Sequence, residues 1–264
     1  MSDHNNGVVA APVDTTPKGT ARQVALPAIP MLQTRYGVML ASPSVSALAR
    51  SLSTYGEWVE QELDVLGALL EEGQTVLEYG AELGAHTLWL SQMVGVNGQV
   101  HVVEPRRFGH IALCSALALN HLRNVYPMHA SLGDARRDVV LGATDEHPEE
   151  ASQQTSLDML ALGQLHLIKV NQPGGLLPLL SGAEKILRDQ QPLIYFRLSS
   201  ADMATKEIAA LKAQGYRCWS HLPYLYSTDN FNGSASNIFP GWVSQNVIAA
   251  HRDNSVDMAH LTEL

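Results

Sequence analysis

Residues 76–87 read Val-Leu-Glu-Tyr-Gly-Ala-Glu-Leu-Gly-Ala-His-Thr, and the order of residue types in this stretch sets the fold. A short apolar run ends in an acid, Glu78. Gly80 and Gly84 then bracket a tight turn, and an apolar pattern with helical spacing follows from Ala85. Strand, glycine turn and helix are the repeating parts of a parallel α/β sheet. About 20 residues on, a second strand pattern, Gln99 to Val103, ends in Glu104. A glycine turn followed by an acid at the tip of the next strand is an arrangement by which such sheets hold an adenosine.

The spacing inside the turn narrows the ligand. A dinucleotide site needs G-x-G-x-x-G so that the backbone can approach a pyrophosphate. Here the pattern is Gly80-x-x-x-Gly84, and an anionic Glu82 stands where a phosphate would have to come close. The turn therefore suits an adenosyl ligand without a phosphate. S-adenosylmethionine (SAM) is the expectation, and a nicotinamide oxidoreductase is disfavoured.

Composition sets the outer bounds. The chain has 264 residues, 45% of them hydrophobic and 16% charged, enough for one α/β domain with extensions. A formal net charge of -9 argues against a nucleic-acid footprint, which needs a basic face. Cys114 and Cys218 are the two cysteines and the eleven histidines show no H-E-x-x-H spacing, so neither a disulfide framework nor a metal site is expected. No apolar run reaches the roughly 18 residues of a membrane span. The first 30 residues lack the charged start and apolar centre of a secretory signal. A cytoplasmic protein without membrane or nucleic-acid partners is the resulting expectation.

Along the chain, residues 1–33 are low in complexity and read as a disordered tail. Residues 34–252 read as one domain, with a helical extension over about 42–72, and 253–264 as a polar tail. In that extension Ser46 to Leu70 reads as a single helix, with Val59, Leu63, Leu66 and Leu70 inward and Glu60, Glu62 and Asp64 outward. Strands are expected at 75–79, 99–103, 125–130, 165–170, 193–198, 216–220 and 243–250. Helices are expected at 85–94, 108–119, 175–189 and 206–214. Residues 134–155 read as a polar loop with an edge strand inside it.

Several of these runs carry a family likeness. Tyr55-Gly56-Glu57-Trp58, the loop from Glu78 to Thr87, Val103-Glu104-Pro105 and Ile168-Lys169 before Gly174 resemble the FkbM family of SAM-dependent methyltransferases. So do Thr155-Ser156-Leu157-Asp158, Ser181-Gly182-Ala183-Glu184 and the stretch Asn230-Phe231 through Asn237-Ile238-Phe239-Pro240 to Val243-Ser244. The likeness covers roughly Arg35 to Ala250. It implies a Rossmann-like class I methyltransferase fold, a mostly parallel seven-stranded sheet with helices on both faces, and methylation of a hydroxyl on a small molecule or glycan. The chain departs from the family where Asp-x-Glu-Gly is usual and Asn171-Gln172-Pro173-Gly174 stands instead. That loss of two carboxylates supports an alternative: a catalytically impaired binding or scaffold module.

The candidate cofactor residues are Glu78, Gly80, Ala81, Gly84, Thr87, Glu104 and Leu132. Glu104 would accept the ribose hydroxyls, and Glu78 would sit near the methionine amino group. Leu132, with Ser131 and Asp134, would lie near the adenine edge. The catalytic candidates are Asn171, which can orient a hydroxyl but cannot act as a base, and Glu57 and His86, with His221 a further possible base. Lys169 ends the same strand as Asn171, where open α/β sheets present substrate-facing groups.

Overall fold

The computed structural model describes residues 30–144 and 147–264. The expected tail over 1–29 lies outside them. An antiparallel hairpin opens the described chain, β1 (Met31–Thr34) and β2 (Gly37–Leu40). The tail boundary set at 33 thus falls inside a paired strand. Two helices follow, α1 (Ala47–Tyr55) and α2 (Glu60–Gly67). The Ser46 side chain caps α1 by accepting from the Ala49 N–H at 3.1 Å, satisfying one of the donors a helix start leaves open.

The single helix expected over 46–70 is broken, because Gly56 and Val59 both take left-handed backbone angles, φ 69° and 46°. Glycine adopts that region freely, whereas a β-branched residue is a true outlier there. Tertiary hydrogen bonds hold the break: Arg35 N–H to Gly56 O at 2.8 Å and Ser51 Oγ to Glu57 O at 2.7 Å.

The alternation then runs β3 (Thr75–Tyr79), α3 (Ala85–Val94), β4 (Gln99–Glu104), α4 (Arg107–Leu119) and β5 (Val125–His129). The segment 134–155, expected as a polar loop with one edge strand, holds two strands, β7 (Arg137–Leu141) and β8 (Glu150–Thr155), which join β6 (Ser131–Leu132) in a small sheet of order β6-β8-β7. The main sheet resumes with β9 (Leu167–Val170). Two short helices, α5 (Leu176–Ser181) and α6 (Glu184–Gln190), replace the one expected over 175–189. Then come β10 (Leu193–Arg197), α7 (Ala201–Ala213), β11 (Tyr216–His221), β12 (Asn246–His251) and β13 (Thr262–Glu263).

The main sheet has eight strands in the order β13-β11-β12-β10-β9-β3-β4-β5. Pairs β3–β4, β4–β5, β3–β9 and β9–β10 are parallel, and the β10–β12–β11–β13 end is antiparallel. The eighth strand comes from the segment read as a polar tail. It is held by the Arg217–Glu263 ion pair at 2.8 Å and by Met258, which is buried in the core. Strands β3 and β9 are buried almost throughout, as parallel strands covered on both faces must be. One apolar cluster lies on each side of the sheet. Val76, Leu88 and Leu113 belong to the first and Leu77, Ile168 and Leu179 to the second. Among the described residues, no helix is long and apolar enough to cross a membrane.

Candidate functional site

The C-terminal ends of β3, β4 and β9 converge on a cavity of about 740 Å³. Gly80, Glu82 and Leu83 of the glycine turn form one wall. Glu104, Arg106, Phe108 and Gly109 form the second, with Gln172 and Pro173 beside them, and Ser42, Pro43, Ser44, Ser46 and Leu48 with Thr144, His147 and Pro148 complete the lining. Gly80 has φ 79°, and a Cβ there would stand 3.0 Å from the Gln172 side chain. The turn after β3 can therefore lie against the turn after β9 only with glycine at 80.

Glu104 is 2% exposed. One carboxylate oxygen accepts the Glu82 N–H at 2.8 Å and the other the Arg106 N–H at 2.9 Å. A carboxylate has about four lone-pair sites, so capacity remains for further donors from the cavity. Helix α4 comes this close because Gly109 has no side chain: a Cβ would meet the Glu104 carboxyl carbon at 2.9 Å. Burial pushes the Glu104 carboxyl up to about 7. The two N–H groups oppose that shift, and the charges of Glu82 and Glu78 add to it. Arg106 ties the rim down, donating to Pro148 O at 3.0 Å and Gly142 O at 2.6 Å.

A separate hollow of about 10 Å³ shares Leu48, Gly80 and Glu82 with the cavity and is lined also by Trp58, Glu78, Ala81, His86 and Asn171. Its polar walls are already paired. Glu78 is fully buried, accepts from the Thr87 hydroxyl, and accepts from Asn171 Nδ2 at 2.8 Å. Burial raises its pKa, against the pull of Lys169 and these two hydrogen bonds.

Beyond the hollow lies a polar network centred on Glu62. Its Oε2 meets Lys169 Nζ at 3.1 Å, and Lys169 also bonds Asn171. Its Oε1 accepts from Asn246 Nδ2 at 2.7 Å. Asn246 donates to the Tyr195 hydroxyl as well, at 2.8 Å, and that hydroxyl lies 2.8 Å from His221 Nδ1. Arg197 stands 3.8 Å from Glu62 and His86 3.7 Å. Burial opposes the Glu62 charge, but Lys169, His86 and Arg197 outweigh it and hold the carboxyl down to about 2. The same packing, with the nearby Lys169 charge, drives His86 down to about 3.

The sequence candidates separate accordingly. Gly80 and Glu104 line the larger cavity, and Ala81, Glu78, His86 and Asn171 line the hollow. Thr87 acts through Glu78. Gly84 starts α3 and faces Leu113 rather than the cavity. Leu132 is buried in the second core cluster, its N–H on the Tyr79 hydroxyl at 3.2 Å. Neither it nor Asp134 is among the cavity's lining residues; Thr144, His147 and Pro148 stand at that rim. Glu57 is away from the cavity: its Oε2 holds Arg35 at 2.8 Å and the Phe231 N–H at 2.8 Å, clamping the hairpin and the 227–236 turn to α1. His86, a catalytic candidate, is buried. Its Nε2 meets Trp58 O at 2.7 Å.

Glu62, expected outward, is 1% exposed. Its position was readable: 59, 62, 63 and 66 form an i, i+3, i+4, i+7 stripe, so the acid sits on the inward face. Arg197, Asn246 and Arg106 gave no comparable signal, since only the folded sheet brings them to the site. Among the described residues no cluster of His, Cys, Asp and Glu could hold a metal ion.

No protein-family model and no curated protein matches the chain. Solved structures do. Precorrin-6y C5,15-methyltransferase from Geobacter metallireducens superposes with a TM-score of 0.51 at 14% identity, over 72% of this chain and 87% of that one. A methyltransferase FkbM from Methylobacillus flagellatus gives 0.48 at 15% identity, over 69% of this chain and 45% of that one. Fibrillarin from Aeropyrum pernix, in complex with natively bound S-adenosyl-L-methionine, gives 0.46 at 17%, over 83% and 92%. The last two fall too low to carry an argument. With the strand order above, the first shows that this chain has the α/β fold of the class I methyltransferases, with a mixed, mainly parallel sheet.

Proposed function

We propose that this chain binds SAM in the cavity beside Gly80, as a methyltransferase of the FkbM type acting on a hydroxyl of a small molecule or glycan. The observation that carries the cofactor reading is the Glu104 carboxylate. It stands in the cavity wall next to the Gly80 turn, with each oxygen fixed by a backbone N–H and acceptor capacity left for two ribose hydroxyls. Leu83, Phe108 and Pro148 offer the apolar surface a purine needs. Bound SAM supplies an electrophilic sulfonium methyl; the chain's own part is to orient the acceptor and take its proton.

A second reading, a SAM-binding module without transfer, is favoured by the state of the bases. Glu57 is occupied by Arg35 and Phe231, burial makes the His86 ring a weak base with Nε2 already against Trp58 O, and His221 Nδ1 faces the Tyr195 hydroxyl. Asn171 has no basic atom. Calorimetry with SAM tests the shared cofactor reading. A tritiated-methyl transfer assay against small-molecule and glycan fractions separates the two. Labelled acceptor supports transfer; tight SAM binding with no label in any fraction supports the module.

A further inference from the structure

The two halves of a SAM-shaped ligand meet unequal space. The ribose and purine have a cavity of about 740 Å³, whereas the hollow past Gly80 offers about 10 Å³, the room of a single water. Leu48, Gly80 and Glu82 line both spaces. A 5′-substituent that leaves a Glu104-held ribose past Gly80, toward Glu78 and Asn171, meets the hollow. An aminoacyl arm with its ammonium and carboxylate is several times too large for it.

Trp58 lines the hollow, and its backbone is held on both sides. Its backbone N–H donates to the Tyr36 hydroxyl at 2.8 Å, and its backbone carbonyl lies 2.7 Å from His86 Nε2. The Arg197 guanidinium lies 5.7 Å from its ring centroid. It stands between two left-handed residues, Gly56 and Val59, so the backbone on either side of the ring is fixed in a conformation most sequences avoid.

We propose that Trp58, seconded by Leu48, sets which 5′-substituent this adenosyl site accepts. Nucleosides with a small 5′ group bind the site as it stands. An aminoacyl arm enters only by displacing the Trp58 ring. This rests on the reading of the cavity as an adenosyl site and adds a specificity that the fold alone does not give.

The test is calorimetric titration of the full chain with adenosine, 5′-methylthioadenosine, S-adenosylhomocysteine and SAM. In the wild-type protein, adenosine and methylthioadenosine are expected to bind at least as tightly as the two ligands that carry the arm. Trp58→Ala is expected to tighten SAM and S-adenosylhomocysteine by about tenfold while moving adenosine by less than about twofold. Leu48→Ala is expected to act in the same direction more weakly. The inference is overturned if wild-type protein binds SAM about tenfold or more tightly than adenosine. It is equally overturned if a folded Trp58→Ala gains nothing on the arm-bearing ligands. Should that variant not fold, the wild-type series and Leu48→Ala decide. Absence of binding by all four ligands overturns the cavity reading itself, an outcome distinct from adenosine binding with a preference for the arm.

Discussion

The Glu104 carboxyl is buried, holds two backbone N–H groups and still faces the cavity, so its ionisation bears on the fold and, in the proposed site, on the ligand. Replacing it with Gln removes a charged acceptor worth about 1.5–3 kcal/mol. Glu104→Gln is therefore expected to weaken an adenosyl ligand by about ten- to a hundredfold in calorimetry. Two ribose hydroxyls need the ionised acid, and the free site titrates at about 7. Affinity should then fall as pH drops below 7, by up to about tenfold per unit, and Glu104→Gln should lose that dependence.

The same group affects stability in the opposite sense. Its folded pKa lies above the ordinary 4.5, so the folded state holds the extra proton, and this contribution is full below 4.5 and lost as pH rises through 7. His86 runs the other way. Held at about 3 against an ordinary 6.5, it favours folding above 6.5 and loses that contribution as pH falls toward 3. Urea titrations of His86→Gln and wild-type protein across pH 3–7 should show the shallower acid slope in the variant. Glu104 and Gly80 were legible in the sequence because a strand tip and a glycine turn are local features. Glu57 was not, because its partners, Arg35 and Phe231, lie 22 and 174 residues away.

At the scale of elements, α2 delivers an acid to the ends of β9, β10 and β12. A buried ion pair contributes little net stability, but breaking one side is costly. Glu62→Ala leaves Lys169, 0% exposed, without its carboxylate and should destabilise the fold by about 3–5 kcal/mol in chemical denaturation. The double replacement of Glu62 and Lys169 by Met should recover most of that loss. An equal loss in the double variant would mean that the site needs the charges themselves.

The end of α6 offers a test in the stabilising direction. Gln191 sits there at φ 48°, and Gln191→Gly should stabilise by about 0.5–1 kcal/mol, read as a rise in melting temperature.

Strands such as β3 and helices such as α3 matched their sequence bounds because apolar period and flanking glycines fix them locally. The helices expected over 46–70 and 175–189 did not, since each is divided by a backbone turn that distant contacts hold. Gly56 O is held by Arg35, and Gly182 O accepts the Asp158 N–H at 2.9 Å. The C-terminal residues are polar and read as a tail, yet Met258 and the Arg217–Glu263 pair fix them as an eighth strand.

For the molecule as a whole, the strand order and the glycine turn place a cavity where β3 and β4 end, while the N-terminal helices build over the ground next to it. Sheet architecture was legible from alternation alone; the closure was not, because it is made by α1, α2 and the 56–59 turn packing across the ends of β3 and β9. The most direct test of this account is isothermal calorimetry of the wild-type chain and Glu104→Gln with SAM and adenosine at pH 8. The wild-type chain is expected to bind each ligand at one site, and the variant to lose about ten- to a hundredfold for both. Binding that is unchanged by Glu104→Gln, or no binding of either ligand to the wild-type chain, would contradict it.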